Sequence, residues 1–172
     1  MFKSGASAIF GLSLIFSLQP VFEPPIASQP AFNLQVITKQ NSTCQSQKTA
    51  LLKASEGLLY PSESDYSFQY FSNNKTASLP SPQQFTRLIG RQGKQVTQVD
   101  FDEFFNQLIK NQRSSGAQAE TIRRYQSLRQ VFKNQFTRLS VYRVGQIQVQ
   151  VYITGINSSC GMAGLKTISI ET

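Results

Sequence analysis

In two stretches near the C-terminal end, Gln146–Thr154 and Lys166–Ile170, apolar and polar residues alternate with a two-residue period, the pattern of a β-strand in a paired sheet. Val141–Val144 and Gln146–Thr154 flank Gly145 and predict a hairpin. In its second strand Ile147, Val149, Val151 and Ile153 face one way, against Gln148, Gln150, Tyr152 and Thr154. A loop is expected from Gly155 to Gly164. A last strand, Lys166–Ile170, then sets Ile168 and Ile170 against Thr167 and Ser169. A sheet of this kind needs partners for its apolar face, and the upstream sequence supplies helical patterns to cover it.

Ser46 is placed to cap a helix with Ala50, Leu51, Ala54 and Leu58 at helical spacing, and Gly57 fits its C-terminal cap. Ser67–Ser72 reads as a strand, and Pro82 opens a short helix carrying Phe85, Leu88 and Ile89. After a Gly90–Gly93 turn comes a short strand with Val96 and Val99. Asp102 is expected to cap a helix bearing Phe104, Phe105, Leu108 and Ile109, followed by a loop from Asn111 to Gly116. Glu120–Phe136 reads as the longest helix, with Ile122, Tyr125, Leu128, Phe132 and Phe136 as its buried stripe. The fold class predicted from this order is α+β, with helices over a largely antiparallel sheet.

The 172 residues suffice for one domain with its own core. Three segments are expected: 1–27 as a signal-like stretch, 28–43 as a Gln-, Pro- and Ser-rich linker, and 44–172 as the domain. Lys3 precedes an apolar run from Ala6 to Leu18, too short to span a bilayer easily but suited to the core of an export signal. Ala27, Ser28 and Ala31 offer cleavage points. The protein is therefore expected in the periplasm or outside the cell, and in the cytoplasm if the segment is not a signal. Cys44 and Cys160 are the only cysteines. Export would allow a disulfide between them; a reducing compartment would leave two free thiols.

The chain contains no histidine, which excludes a His-containing zinc site. The net charge is +8, and from Phe104 to Lys166 nine Lys or Arg stand against Glu120 alone. Such a surface attracts nucleic acid or anionic lipid without specifying either. Arg123, Arg124, Arg129 and Lys133 on the long helix could track phosphates, but no stacking platform or recognition motif accompanies them.

Two acidic segments stand out. Ser62-Glu63-Ser64-Asp65 crowds two carboxylates and two hydroxyls onto one loop. Without a neighbouring nucleophile or base no acid–base mechanism follows, and a capped turn explains the residues as well as a site does. At the other end, Glu171 and Thr172 present a carboxylate, a hydroxyl and the terminal carboxylate just beyond a strand. These are hard oxygen groups of the kind magnesium prefers, although most chain ends are simply solvated. Asp100-Phe101-Asp102-Glu103 is explained as a helix start.

Several stretches in a fixed order resemble the nuclease A inhibitor family. They are Leu51–Tyr60, Ser62–Phe68, Val99–Phe105, Val141–Gly145, Val151–Gly155 and Met162–Thr172, covering about residues 46–172. The resemblance implies a three-layer α/β/α sandwich of the pathogenesis-related-1 type. It implies a non-enzymatic protein, monomeric when free, that blocks the active site of a metal-dependent nuclease acting on both DNA and RNA. In that arrangement the C-terminal threonine, here Thr172, reaches the nuclease's catalytic magnesium, and the loop glutamate, here Glu63, meets basic residues around it. Ser62, Ser64, Asp65 and Glu171 are the implied neighbours. The inhibitor would need no cofactor of its own and no small-molecule substrate. The alternative is an exported binding module of the same fold that uses its basic helix on nucleic acid or an anionic surface. Ser67 stands where family members usually have Pro, and 106–116 differs from the corresponding loop and lacks its Trp.

Overall fold

The computed structural model describes residues 34–172, with side chains from residue 43 onward. The signal-like segment 1–27 and the start of the 28–43 linker lie outside the described residues. In chain order the elements are α1 (Leu34–Ser55), β1 (Leu59–Tyr60), β2 (Tyr66–Ser67), β3 (Gln69–Asn73), α2 (Pro82–Leu88), β4 (Val96–Val99), α3 (Phe101–Ser114), α4 (Ala119–Gln135), β5 (Arg138–Val144), β6 (Gln148–Asn157) and β7 (Gly161–Ile170). Strands β3 to β7 form one fully antiparallel sheet in the order β3-β7-β6-β5-β4, and β1 and β2 make a separate two-stranded hairpin. The class is α+β. Among the described residues no helix is long and apolar enough to cross a membrane.

The two faces of the sheet carry separate cores. On one, Val141, Val149, Val151, Ile153, Ala163 and Leu165 pack with Leu51 of α1, the phenylalanines of α3 and Tyr125, Leu128 and Phe132 of α4. On the other, Tyr142, Val144, Tyr152, Ile156 and Met162 pack with Phe85 of α2. There Phe85 stacks on Tyr142 at 4.0 Å, and the Tyr142 hydroxyl donates to the Pro80 carbonyl at 2.6 Å, so the polar tip of a buried ring is satisfied. Tyr152 and Thr154, expected on a polar face, are buried because that face is covered as well.

Several boundaries differ from the sequence expectation, each for a visible reason. Ser46 does not cap the first helix, since α1 already runs from Leu34. The later part of the proposed linker, from residue 34, is therefore helical. Asp100, not Asp102, caps α3: its carboxylate accepts from the amides of Asp102 at 2.8 Å and Glu103 at 2.9 Å. The same helix continues to Ser114, through most of the loop expected at 111–116. α4, with 17 residues, is shorter than the 22-residue α1.

Gly155 and Gly164 read as loop residues but lie in β6 and β7, because each sits where a side chain cannot. A Cβ on Gly155 would come within 2.3 Å of the Phe136 ring, and one on Gly164 within 1.9 Å of the Ile153 carbonyl. With β7 beginning at Gly161, the inward positions are set by Ala163 and Leu165, so Thr167 and Ser169 follow inward. Ile168 and Ile170 point to the other face, the reverse of the face expected to be apolar.

Cys44 in α1 and Cys160 in the β6–β7 turn form a disulfide, with Cα atoms 5.5 Å apart across 116 residues. It ties the first helix to the start of the last strand.

Candidate functional site

At the end of β7 opposite the disulfide, the chain terminus meets the β1–β2 hairpin. Tyr60 pairs with Tyr66 across the hairpin, which makes Pro61–Asp65 its loop. Four contacts hold it. The Tyr60 ring is buried against Phe104, with ring centres 6.1 Å apart, and meets Phe68 edge-on. The Tyr125 hydroxyl from α4 donates to the Leu59 carbonyl. The Thr167 hydroxyl donates to the Tyr66 carbonyl at 3.2 Å. Burial pushes the Tyr125 hydroxyl's pKa up to about 12, with the Asp65 charge adding to the shift, so it stays a donor at neutral pH. Within the loop, the Ser62 hydroxyl donates to the Ser64 carbonyl at 2.6 Å and closes the turn.

The terminus is held as firmly. β7 pairs with β6 as far as Ile170, and the Glu171 amide then donates to the Ile147 carbonyl at 2.8 Å, one rung beyond. The Glu171 carboxylate accepts from the Ser169 hydroxyl at 2.9 Å and from the Arg143 guanidinium. Arg143 also faces Tyr60: burial pushes that hydroxyl's pKa up, and the arginine opposes the shift. Beyond this anchor the Thr172 hydroxyl donates to the Glu63 carboxylate, joining residues 109 apart in sequence.

The site residues therefore separate. Glu63 and Thr172 are exposed and bonded to each other, and among the described residues Glu63 makes no ion pair. Glu171 lies beside them but is turned inward onto Arg143 and Ser169. Ser62 and Ser64 shape the loop through their own hydrogen bond. Asp65 is exposed at the foot of the loop. Arg143, Ser169, Thr167 and Tyr60 were not singled out from sequence. One signal was available: Arg143 follows the inward Val141 by two residues, so a charge had to point toward the core and find a partner there.

The basic side chains of α4 all have partners within the chain. On α4, Arg123 pairs with Glu120 at 2.8 Å, Arg124 donates to the Glu56 carbonyl, and Arg129 and Lys133 reach Asp102 at 2.6 and 2.7 Å. Hydrogen bonds from Lys133 and then Arg129 hold the Asp102 carboxyl below the usual carboxylate range. Among the described residues no group of three or more acidic, His or Cys side chains could hold a metal ion. The hydroxyl and carboxylate of Thr172 are hard oxygen donors of the kind magnesium prefers, and the Glu63 carboxylate beside them is suited to a cationic group.

The sequence model of a family described as nuclease A inhibitor-like protein matches residues 45–172. No curated protein matches the chain.

Proposed function

Because the chain belongs to the nuclease A inhibitor-like family, we propose that it inhibits a metal-dependent, sugar-non-specific nuclease by occupying the active site with the Glu63 loop and the Thr172 terminus. The observation that carries this reading is the hydrogen bond from Thr172 to Glu63, which makes one acidic point of two distant segments. The magnesium belongs to the nuclease; Thr172 would meet it, and Glu63 would meet the cations around it. Arg143, Ser169 and the Ile147 carbonyl keep the last residues extended, so little ordering remains to oppose binding. Asp65 borders the contact. A protein of this kind has no catalytic step of its own, and it would be a monomer until it meets its target.

The two covered faces of the sheet favour the finer description of the fold as a three-layer α/β/α sandwich, similar to the pathogenesis-related-1 arrangement. The disulfide favours export to the periplasm or beyond, where it would persist. The alternative, nucleic-acid binding through α4, is less well supported because all four basic side chains of that helix are already engaged.

The test is inhibition of a magnesium-dependent sugar-non-specific nuclease by the full chain and by chains lacking Thr172 or ending at Ile170. Loss of the terminal residue should weaken inhibition by about 100-fold, the effect of a central interface residue of roughly 3 kcal/mol. Undiminished inhibition by the chain ending at Ile170 would overturn the mechanism.

A further inference from the structure

While the α4 cations are engaged within the chain, three others converge elsewhere. Arg87 at the end of α2, and Arg91 and Lys94 in the turn after it, line an open groove of ≈ 1060 Å³ whose opposite wall is the β5–β6 turn. Among the described residues none of the three takes part in an ion pair and no carboxylate lines the groove. Its walls are fixed. The Arg91 amide donates to the Thr86 carbonyl at 2.7 Å and the Lys94 amide to the Arg91 carbonyl at 3.2 Å. Across the groove, the Gly145 backbone amide donates to the Gln95 carbonyl at 2.9 Å, and the Gln146 side-chain Nε2 donates to Gln95 Oε1 at 2.7 Å. Glutamine side chains complete much of the lining and offer neutral hydrogen bonds beside the three charges.

We propose that this groove binds the phosphate backbone of a single nucleic-acid strand. Three unpaired cations in a concavity without acids hold a polyanion by charge and counterion release, and the amides supply contacts to phosphate and sugar. Among the described residues no aromatic ring lines the groove, so binding is not sequence-selective through stacking. A lipid surface fits less well, because the cations lie in a recess and the glutamines offer nothing to insert into acyl chains. The site does not depend on the inhibitor reading, although the Ile147 backbone that accepts from Glu171 forms part of its rim.

The experiment is fluorescence anisotropy of a labelled single-stranded oligonucleotide with the full chain, without nuclease, over a series of salt concentrations. Micromolar binding is expected at low salt, with a log–log salt slope near −2 for about three neutralised phosphates at ~0.7 each. The variant Arg87→Gln/Arg91→Gln/Lys94→Gln should bind at least about 10-fold more weakly and lose most of that slope. The charge-matched variant Lys110→Gln/Arg113→Gln/Arg138→Gln should change affinity less than about 3-fold, since its charges lie outside the groove. If the triple groove variant loses cooperative unfolding, the single Lys94→Gln carries the test, with the slope falling by about 0.7. Equal losses in both triple variants, or no binding by the parent at low salt, would overturn the proposal. So would tighter binding to phosphatidylglycerol vesicles with the same residue dependence, or a groove variant that loses only nuclease affinity. The Thr172-deleted chain should bind the oligonucleotide unchanged, so failure here and failure of the inhibitor reading are separate results.

Discussion

Asp102 and Glu63 are both acids in clusters near helix or strand ends, and the fold treats them in opposite ways. Asp102 is surrounded by Arg129 and Lys133, which hold its carboxyl below the usual range and tie α3 to α4. Glu63 receives one hydroxyl, from Thr172, and no cation among the described residues. A carboxylate paired inside its own chain has little left for a partner. One that is positioned but not neutralised retains its attraction for a cationic site elsewhere. The same distinction divides the basic residues, since those of α4 are engaged and, among the described residues, those of the α2 groove form no ion pair.

The comparison first requires stability to be separated from binding. Replacing both cysteines by serine removes a 116-residue cross-link, which should cost about 4 kcal/mol in the chain-entropy view and lower the Tm by on the order of 10 °C. Inhibition per folded molecule should persist, because the bridge lies at the other end of β7; loss of inhibition in fully folded protein would tie the two ends together. Next, Glu63→Ala should weaken inhibition by about 2 kcal/mol, roughly 30-fold, with the Tm unchanged. Titration against the nuclease together with a thermal melt decides this. Arg143→Ala should weaken inhibition by about 10-fold by releasing Glu171 and with it the terminus, an indirect loss expected to be smaller than that of Glu63 itself. A larger loss than Glu63→Ala gives would make Arg143 a contact residue.

Asp102→Ala should do the reverse of Glu63→Ala. It should cost about 1 kcal/mol of stability, as a half-exposed ion pair near a helix N-terminus does, and leave inhibition intact. The smallest effect is in acid. Asp102 has a lower pKa folded than unfolded, so its contribution is present above the ordinary carboxylate range and is lost as pH falls through the depressed folded value. The difference in Tm between the parent and Asp102→Asn should therefore shrink as pH falls below 4, and a constant difference would remove the ion pair as its cause.

The existence of the sheet was legible because a two-residue period survives any tertiary arrangement: β5, β6 and β7 each overlap an expected strand, although β7 begins five residues before the stretch that alternation marked. Pro82 likewise begins α2, where Ser81 and Gln84 complete a capping box that had not been singled out. The errors fell where tertiary contact overrides local signals. Gly155 and Gly164 mark turns in most sequences, yet here they are needed where Phe136 and the Ile153 backbone press against the sheet. Ile168 and Ile170 looked like the core face, but Leu165 had already set the parity the other way.

By itself the sequence determined the α+β class, the existence of the strands, the start of α2 and, through resemblance, the family. Only the tertiary structure decided that Cys44 meets Cys160, that Thr172 meets Glu63, and that Asp102 is neutralised while Glu63 is not. Local pattern records the preferences of neighbouring residues. Two of these pairings join residues more than 100 apart, and the third joins two helices; all depend on which faces the core brings together.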